Sequence, residues 1–188
     1  MPEYQAPLAD MKFVLRELVD LSLLAELPGF GDLSLDVADS VLEEAAKFAA
    51  GVMSPLNRSG DMEGARWQGG GVVTSAGWKQ AYARFASDGW NAVSCPEEFG
   101  GQNLPRVLSA LIEEMWNGAN VAFALCPMLT RGAIDAIELR GSEALCKTYL
   151  PKMVSGEWTG TMNLTEPQAG SDLSAVRTTA DAVQRAMS

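Results

Sequence analysis

Leu104, Val107, Leu108, Leu111, Ile112, Met115 and Trp116 recur at intervals of i, i+3, i+4, i+7 and i+8, which specifies a helix with a broad apolar face. A face that wide has to be covered by other elements, and the flanking sequence supplies mostly helices. Leu8, Met11, Leu15, Leu18 and Leu21 draw one stripe, ended by Pro28, Gly29 and Gly31. Ser34 is placed to cap a second helix with the apolar line Val37, Val41, Ala45, Phe48 and Val52, and Asp36 and Asp39 suit its first turn. Pro55 marks its weakening or end. Residues 57–73, with Gly60, Gly64 and Gly69 to Gly71, read as loop. Thr74 or Ser75 caps a third helix carrying Trp78, Tyr82 and Phe85 up to Gly89.

Residues 90–103 are punctuated by Pro96, Gly100 and Gly101 and exclude a regular helix. After the helix of Leu104 to Trp116, a further helical region covers approximately 119–139, bent near Pro127 and ended by Gly141. Ser142 caps a short helix that stops before Pro151. Then the period changes. Trp158, Gly160, Met162 and Leu164 alternate with Glu157, Thr159, Thr161 and Asn163, the two-residue repeat of a half-buried strand. One strand has no stability without a neighbour, so the architecture reads as cut. The expectation is a mainly α chain: a helical extension at 1–33, a helical domain at 34–156, and the start of an incomplete β domain at 157–188.

Composition narrows the chemistry. The chain has no histidine, which excludes triads, histidine metal clusters and imidazole acid–base catalysis within it. Its net charge is −10, concentrated in residues 1–64, a field that repels nucleic acid and anionic membranes. Cys95, Cys126 and Cys146 are spaced for neither a zinc site nor a redox pair and read as reduced, largely buried thiols. Asp61 and Glu63 lack a third ligand, so no metal is expected. Without a basic leader or an apolar run near 20 residues, neither a secretory signal nor membrane insertion is expected, and the reading is cytoplasmic. The glycines at 29 and 31 and at 69–71 lack the strand and the Lys-Ser/Thr that nucleotide loops require.

The run Met162-Asn163-Leu164-Thr165-Glu166-Pro167-Gln168-Ala169-Gly170-Ser171-Asp172 packs hydroxyls, glycine and proline into one connection. Such a loop offers backbone N–H groups and short hydroxyls to a planar heteroaromatic ring, although composition alone reads as a turn. Thr165 to Asp172, with Arg177-Thr178-Thr179-Ala180, resembles the flavin-contacting signature of the acyl-CoA dehydrogenase family. Pro96-Glu97-Glu98-Phe99-Gly100-Gly101, Ile112-Glu113-Glu114, Tyr149-Leu150-Pro151-Lys152 and Ser155-Gly156-Glu157 resemble that family's amino-terminal helical domain in the same order. Tyr4 to Leu8, with Asp10 and Met11, is similar to a larger bacterial subgroup about three times this length.

The resemblance implies an amino-terminal helical bundle followed by the first strand and flavin loop of a β domain. It implies FAD as cofactor of the complete enzyme, an acyl-CoA substrate, a homo-oligomer and an unspecified electron acceptor. Oxidation would remove the α-hydrogen as a proton and the β-hydrogen as hydride to the flavin. By position, Met162, Leu164 and Thr165 would contact the flavin and Ser171 the CoA arm. No catalytic residue is assigned: the base carboxylate of the family belongs to a carboxy-terminal domain, and Glu166 is read as shaping the loop, Glu113 and Glu114 as structural. Taken alone, the chain is expected to bind FAD weakly or not at all and to be inactive. The alternative reading is a non-catalytic helical binding or assembly module derived from that family.

Overall fold

The structure, a computed structural model, describes residues 4–31 and 33–181. The first apolar stripe forms helix α1 (Leu8–Phe13), a single π-turn at Val14–Leu18, and then the short helix α2 (Leu21–Ala25). The stripe predicts one helix through Leu21. The wider π-turn shifts the helical phase and Asp20 takes a left-handed backbone (φ 53°), so Met11, Leu15 and Leu21 are buried while Leu18 is 69% exposed.

Ser34 caps helix α3 (Leu35–Phe48) as the sequence indicates, its hydroxyl accepting the Val37 amide at 3.2 Å. The buried face runs through Ala38, Leu42, Ala45 and Phe48; Ala45 and Phe48 lie on the expected line, Val41 and Val52 are half-buried, and Val37 is exposed. Pro55 does not end this run. A π-turn at Ala49–Met53 leads directly into α4 (Ser54–Glu63), where Pro55 sits in the first turn and its missing N–H costs least. The expected loop at 57–73 is therefore helix as far as Glu63, followed by a hairpin. Its strands β1 (Arg66–Gln68) and β2 (Gly71–Val73) are antiparallel, with Trp67 opposite Val72. Gly69 and Gly70, both at positive φ, make its two-residue turn.

Helix α5 (Trp78–Ser87) begins after Gly77, not at Thr74 or Ser75. The Ser75 hydroxyl instead donates towards the carbonyls of Gly60 and Gly64 and ties the hairpin's exit to the end of α4. Residues 90–103 are irregular, as their composition requires. The amides of Gln102, Asn103 and Leu104 donate back to the carbonyls of Ala92, Cys95 and Val93 at 2.8–2.9 Å. A Cβ at Gly101 would lie 1.9 Å from the Cys95 carbonyl oxygen, so this fold-back tolerates only glycine.

Helix α6 (Arg106–Arg140) is made of two helical arms meeting at Asn120, whose backbone is non-helical (φ −163°, ψ 87°). Arg106 holds Asp135 by two hydrogen bonds of 2.9 and 2.8 Å. Residues 29 apart on a straight helix would be about 43 Å apart. The two arms, 106–119 and 121–140, are thus folded back on each other. The sequence places a boundary between the helix ending at Trp116 and the one beginning near 119, close to Asn120; the further bend expected near Pro127 is not a break, and Pro127 lies within the second arm. Asn120 is fully buried; its Oδ1 accepts the Phe123 amide at 3.1 Å and caps the second arm, while its Nδ2 donates to the Met53 carbonyl at 3.1 Å. The corner is hydrogen-bonded to the π-turn between α3 and α4.

Gly141 ends α6 and Ser142 caps α7 (Glu143–Val154), its hydroxyl accepting the Leu145 amide. This helix continues past Pro151, which stands in its last turn. The core centres on the α6 arms against α3, α4 and α5, with Phe48, Phe85, Trp90, Trp116 and Phe123 meeting at centroid separations of 5.3–6.2 Å. A smaller cluster of Ile134, Leu150, Met153 and Val154 lies beneath α7. Cys95 is buried and Cys146 half-buried, but Cys126 is exposed, and all three are free. The alternating segment at 158–164 is not a strand. Without a neighbour to pair with, it runs irregularly.

Candidate functional site

The segment after α7 leaves the helical body through two anchors. The Trp158 amide donates to the Lys152 carbonyl at 3.0 Å, and the Lys152 ammonium lies 4.4 Å from the centre of the Trp158 ring. The Gly160 amide donates to the buried Thr130 hydroxyl at 3.1 Å, and Thr130 in turn donates to the Cys126 carbonyl at 2.8 Å. A side chain at 160 would meet Ala133 at 2.5 Å, so the absence of a Cβ sets how closely the segment lies on the second arm of α6. Neither Thr130 nor this use of Gly160 was legible in the sequence, because their pairing spans 30 residues.

Beyond Gly160 the expected flavin-contacting residues Met162, Leu164 and Thr165 all face solvent, with Met162 63% exposed. Their backbone N–H groups make no hydrogen bond among the described residues. Ser171 is also exposed. The four positions lie on one short stretch, clear of the helical core.

Glu166 organises the remainder of this loop. Its backbone exchanges two hydrogen bonds with Ala169, 3.1 and 3.0 Å, closing the turn over Pro167 and Gln168. Its carboxylate accepts the Arg177 amide at 3.0 Å, the Thr178 amide at 2.9 Å, and bonds from the Thr178 hydroxyl and the Gln168 amide group. The Thr178 hydroxyl foremost, then the two backbone amides, hold this carboxyl down at about 2. A group so engaged is a poor proton acceptor at neutral pH and a good clasp. Asp172 repeats the device locally, accepting the Ser174 amide and hydroxyl.

The donor set suits a flat, polar ring on chemical grounds: unengaged N–H groups and a hydroxyl along one edge, flanked by exposed apolar Met162 and Leu164. Among the described residues no cluster of metal-ligating side chains is present, and no helix is long and apolar enough to cross a membrane.

Residues 36–157 match the family "Acyl-CoA dehydrogenase, N-terminal domain". The chain is 47% identical over 177 residues to 3-methylmercaptopropionyl-CoA dehydrogenase of Ruegeria pomeroyi, an alignment that covers 94% of this chain and 30% of that protein. It is similar in structure to butyryl-CoA dehydrogenase of Megasphaera elsdenii, with a TM-score of 0.63, 22% identity, and coverage of 78% of this chain and 36% of the other. An acyl-CoA dehydrogenase of Bacillus anthracis complexed with FAD aligns with a TM-score of 0.61 and 26% identity over 76% of this chain and 23% of the other. The chain spans about 30% of the length of the curated relatives it matches.

Proposed function

Because this chain belongs to the acyl-CoA dehydrogenase family, we propose that it is the amino-terminal part of an FAD-dependent enzyme that introduces an α,β double bond into an acyl-CoA thioester. The observation that carries the proposal is the clasped segment 162–178, held to the helical body at Trp158 and Gly160 with its N–H groups unengaged at Met162, Leu164 and Thr165.

When bound, FAD supplies the acceptor for the β-hydrogen as hydride. Thr165 presents a hydroxyl and an N–H to the ring edge, where donors stabilise negative charge as it develops. Met162 and Leu164 cover the ring and keep water from it. Ser171 offers a hydroxyl to the CoA arm. Glu166 keeps these groups in register by binding the returning chain at Arg177 and Thr178. Glu166, committed to its clasp, does not serve as the acceptor of the α-proton. Acyl-CoA binding and homo-oligomerisation belong to the same proposal.

A chimera in which this chain replaces the matching part of the Ruegeria pomeroyi relative tests the reading. It is expected to load FAD and to reduce an artificial acceptor with an acyl-CoA. Thr165→Ala should slow flavin reduction about ten- to a hundredfold, the equivalent of one hydrogen bond to a charged group, about 1.5–3 kcal/mol. Normal loading with flavin spectra and reduction rates unchanged by Thr165→Ala and Met162→Ala would overturn the assignment of the seat.

A further inference from the structure

Apart from the Arg106–Asp135 pair, the two arms of α6 leave a gap beside the Glu113 position. Between them, under the irregular segment that succeeds α5, lies a cavity of about 40 Å³ whose polar lining includes Trp90, Ser94, Ser109, Glu113, Asn117 and Arg131. Four buried side-chain nitrogens have no hydrogen-bond partner among the described residues, and three of them, Trp90 Nε1, Asn91 Nδ2 and Arg131 Nε, belong to residues lining this cavity. All three are donors. Asn91 Nδ2 lies against Gly156, away from the cavity; leaving either of the other two donors buried and unpaired costs about 1–3 kcal/mol, so the pair calls for an occupant.

The same space holds an acceptor. Glu113, half-buried on the first arm, forms no ion pair with Arg131 on the second, although Arg131 is near enough to pull against the rise that burial imposes on the Glu113 carboxyl. Arg131 is already engaged: its guanidinium binds Asp135 at 2.7 Å and donates to Cys95 Sγ at 2.9 Å. Asn117 uses its Nδ2 on the Glu113 carbonyl and keeps its Oδ1 as a further acceptor.

We propose that this cavity is a hydration site, in which ordered waters accept from Trp90 and Arg131 and donate to the Glu113 carboxylate, bridging the arms of α6 alongside the direct Arg106–Asp135 pair. The volume suits about three waters, at roughly 10–15 Å³ of such space each. Charge favours water over an anion. Arg106 and Arg131 are balanced by Asp135 and Glu113, Glu138 nearby adds a further negative charge, and an anion would share the space with a carboxylate. Water alone both accepts from the nitrogens and donates to the carboxylate. The bridge also explains how the first arm keeps a carboxylate turned towards the core without a cation in contact with it.

A crystal structure of the full chain, at a resolution that shows solvent, tests this directly. Density at 2.7–3.2 Å from both Trp90 Nε1 and Arg131 Nε, continuing to Glu113, is expected. A dry cavity, or a direct Glu113–Arg131 ion pair filling it, overturns the proposal; so does an anomalous peak there after exchange of chloride for bromide. In solution, the indole N–H of Trp90, assigned by Trp90→Phe, should show a cross-peak to water with the sign of a long-lived contact. Glu113→Gln, which keeps the acceptor, should preserve that cross-peak, and Glu113→Met, which fills the space, should abolish it. A cross-peak absent from the unsubstituted chain or insensitive to Glu113→Met counts against the site.

Discussion

Replacing Asn120 with alanine removes two hydrogen bonds from a fully buried position without straining the backbone, since φ −163° and ψ 87° are open to any residue. The Phe123 amide loses its cap, an effect of about 0.5–2 kcal/mol, and remains buried without a partner. The Met53 carbonyl loses the donor that joins the corner of α6 to the π-turn between α3 and α4, a further contribution of about 1 kcal/mol. The sum is about 1.5–3 kcal/mol, a sizeable part of the roughly 5–15 kcal/mol typical of a folded domain. Asn120→Ser restores an acceptor at the cap but does not reach Met53, so it should recover about half of the loss. Urea unfolding monitored through the fluorescence of the five tryptophans measures both. If Asn120→Ala costs under about 1 kcal/mol, or Asn120→Ser is no better than Asn120→Ala, then Asn120 does not hold the corner and the account of α6 is wrong.

Gly160→Ala should lift residues 158–178 from α6, because the new methyl meets Ala133 at 2.5 Å and the bond to Thr130 is lost. Limited proteolysis should then cut between 160 and 178 about tenfold faster or more, with the helical body intact. The clasp at Glu166 carries a pH dependence of definite sign. Its carboxyl is held down at about 2 in the folded chain, below its unfolded value near 4.5, so its contribution is complete above about pH 4.5 and is lost as pH falls towards 2. The Thr178 amide resonance should report that loss as a titration, and Glu166→Gln should remove the titration while raising amide exchange at Arg177 and Thr178 at neutral pH.

Much of this architecture was legible in local pattern. Ser34 and Ser142 cap helices because a hydroxyl one residue before a helix satisfies an amide inside it, a relation contained within four residues. The same is true of the break in regular structure at 90–103 and of the helix from Leu104 to Trp116. Differences arise where a local rule meets a remote partner. Pro55 and Pro127 both have the local character of breakers, but one stands in a first turn after a π-turn and the other inside an arm whose corner is set elsewhere. The alternation of Trp158 to Leu164 specifies a strand with nothing to pair with, and the chain instead lies along Thr130 and Lys152.

By itself the sequence determined the helical class, the places where most helices start, the family signature at 165–172 and the exclusion of histidine chemistry, since each rests on residue type and short-range spacing. Only the tertiary structure decided that α6 doubles back at Asn120, that Gly160 lies against Thr130, that Glu166 is a clasp and that a polar cavity opens between the arms. Those features depend on which distant groups meet after the chain has packed, and hydrogen bonds between residues 12 to 67 positions apart leave no periodic trace in the order of amino acids.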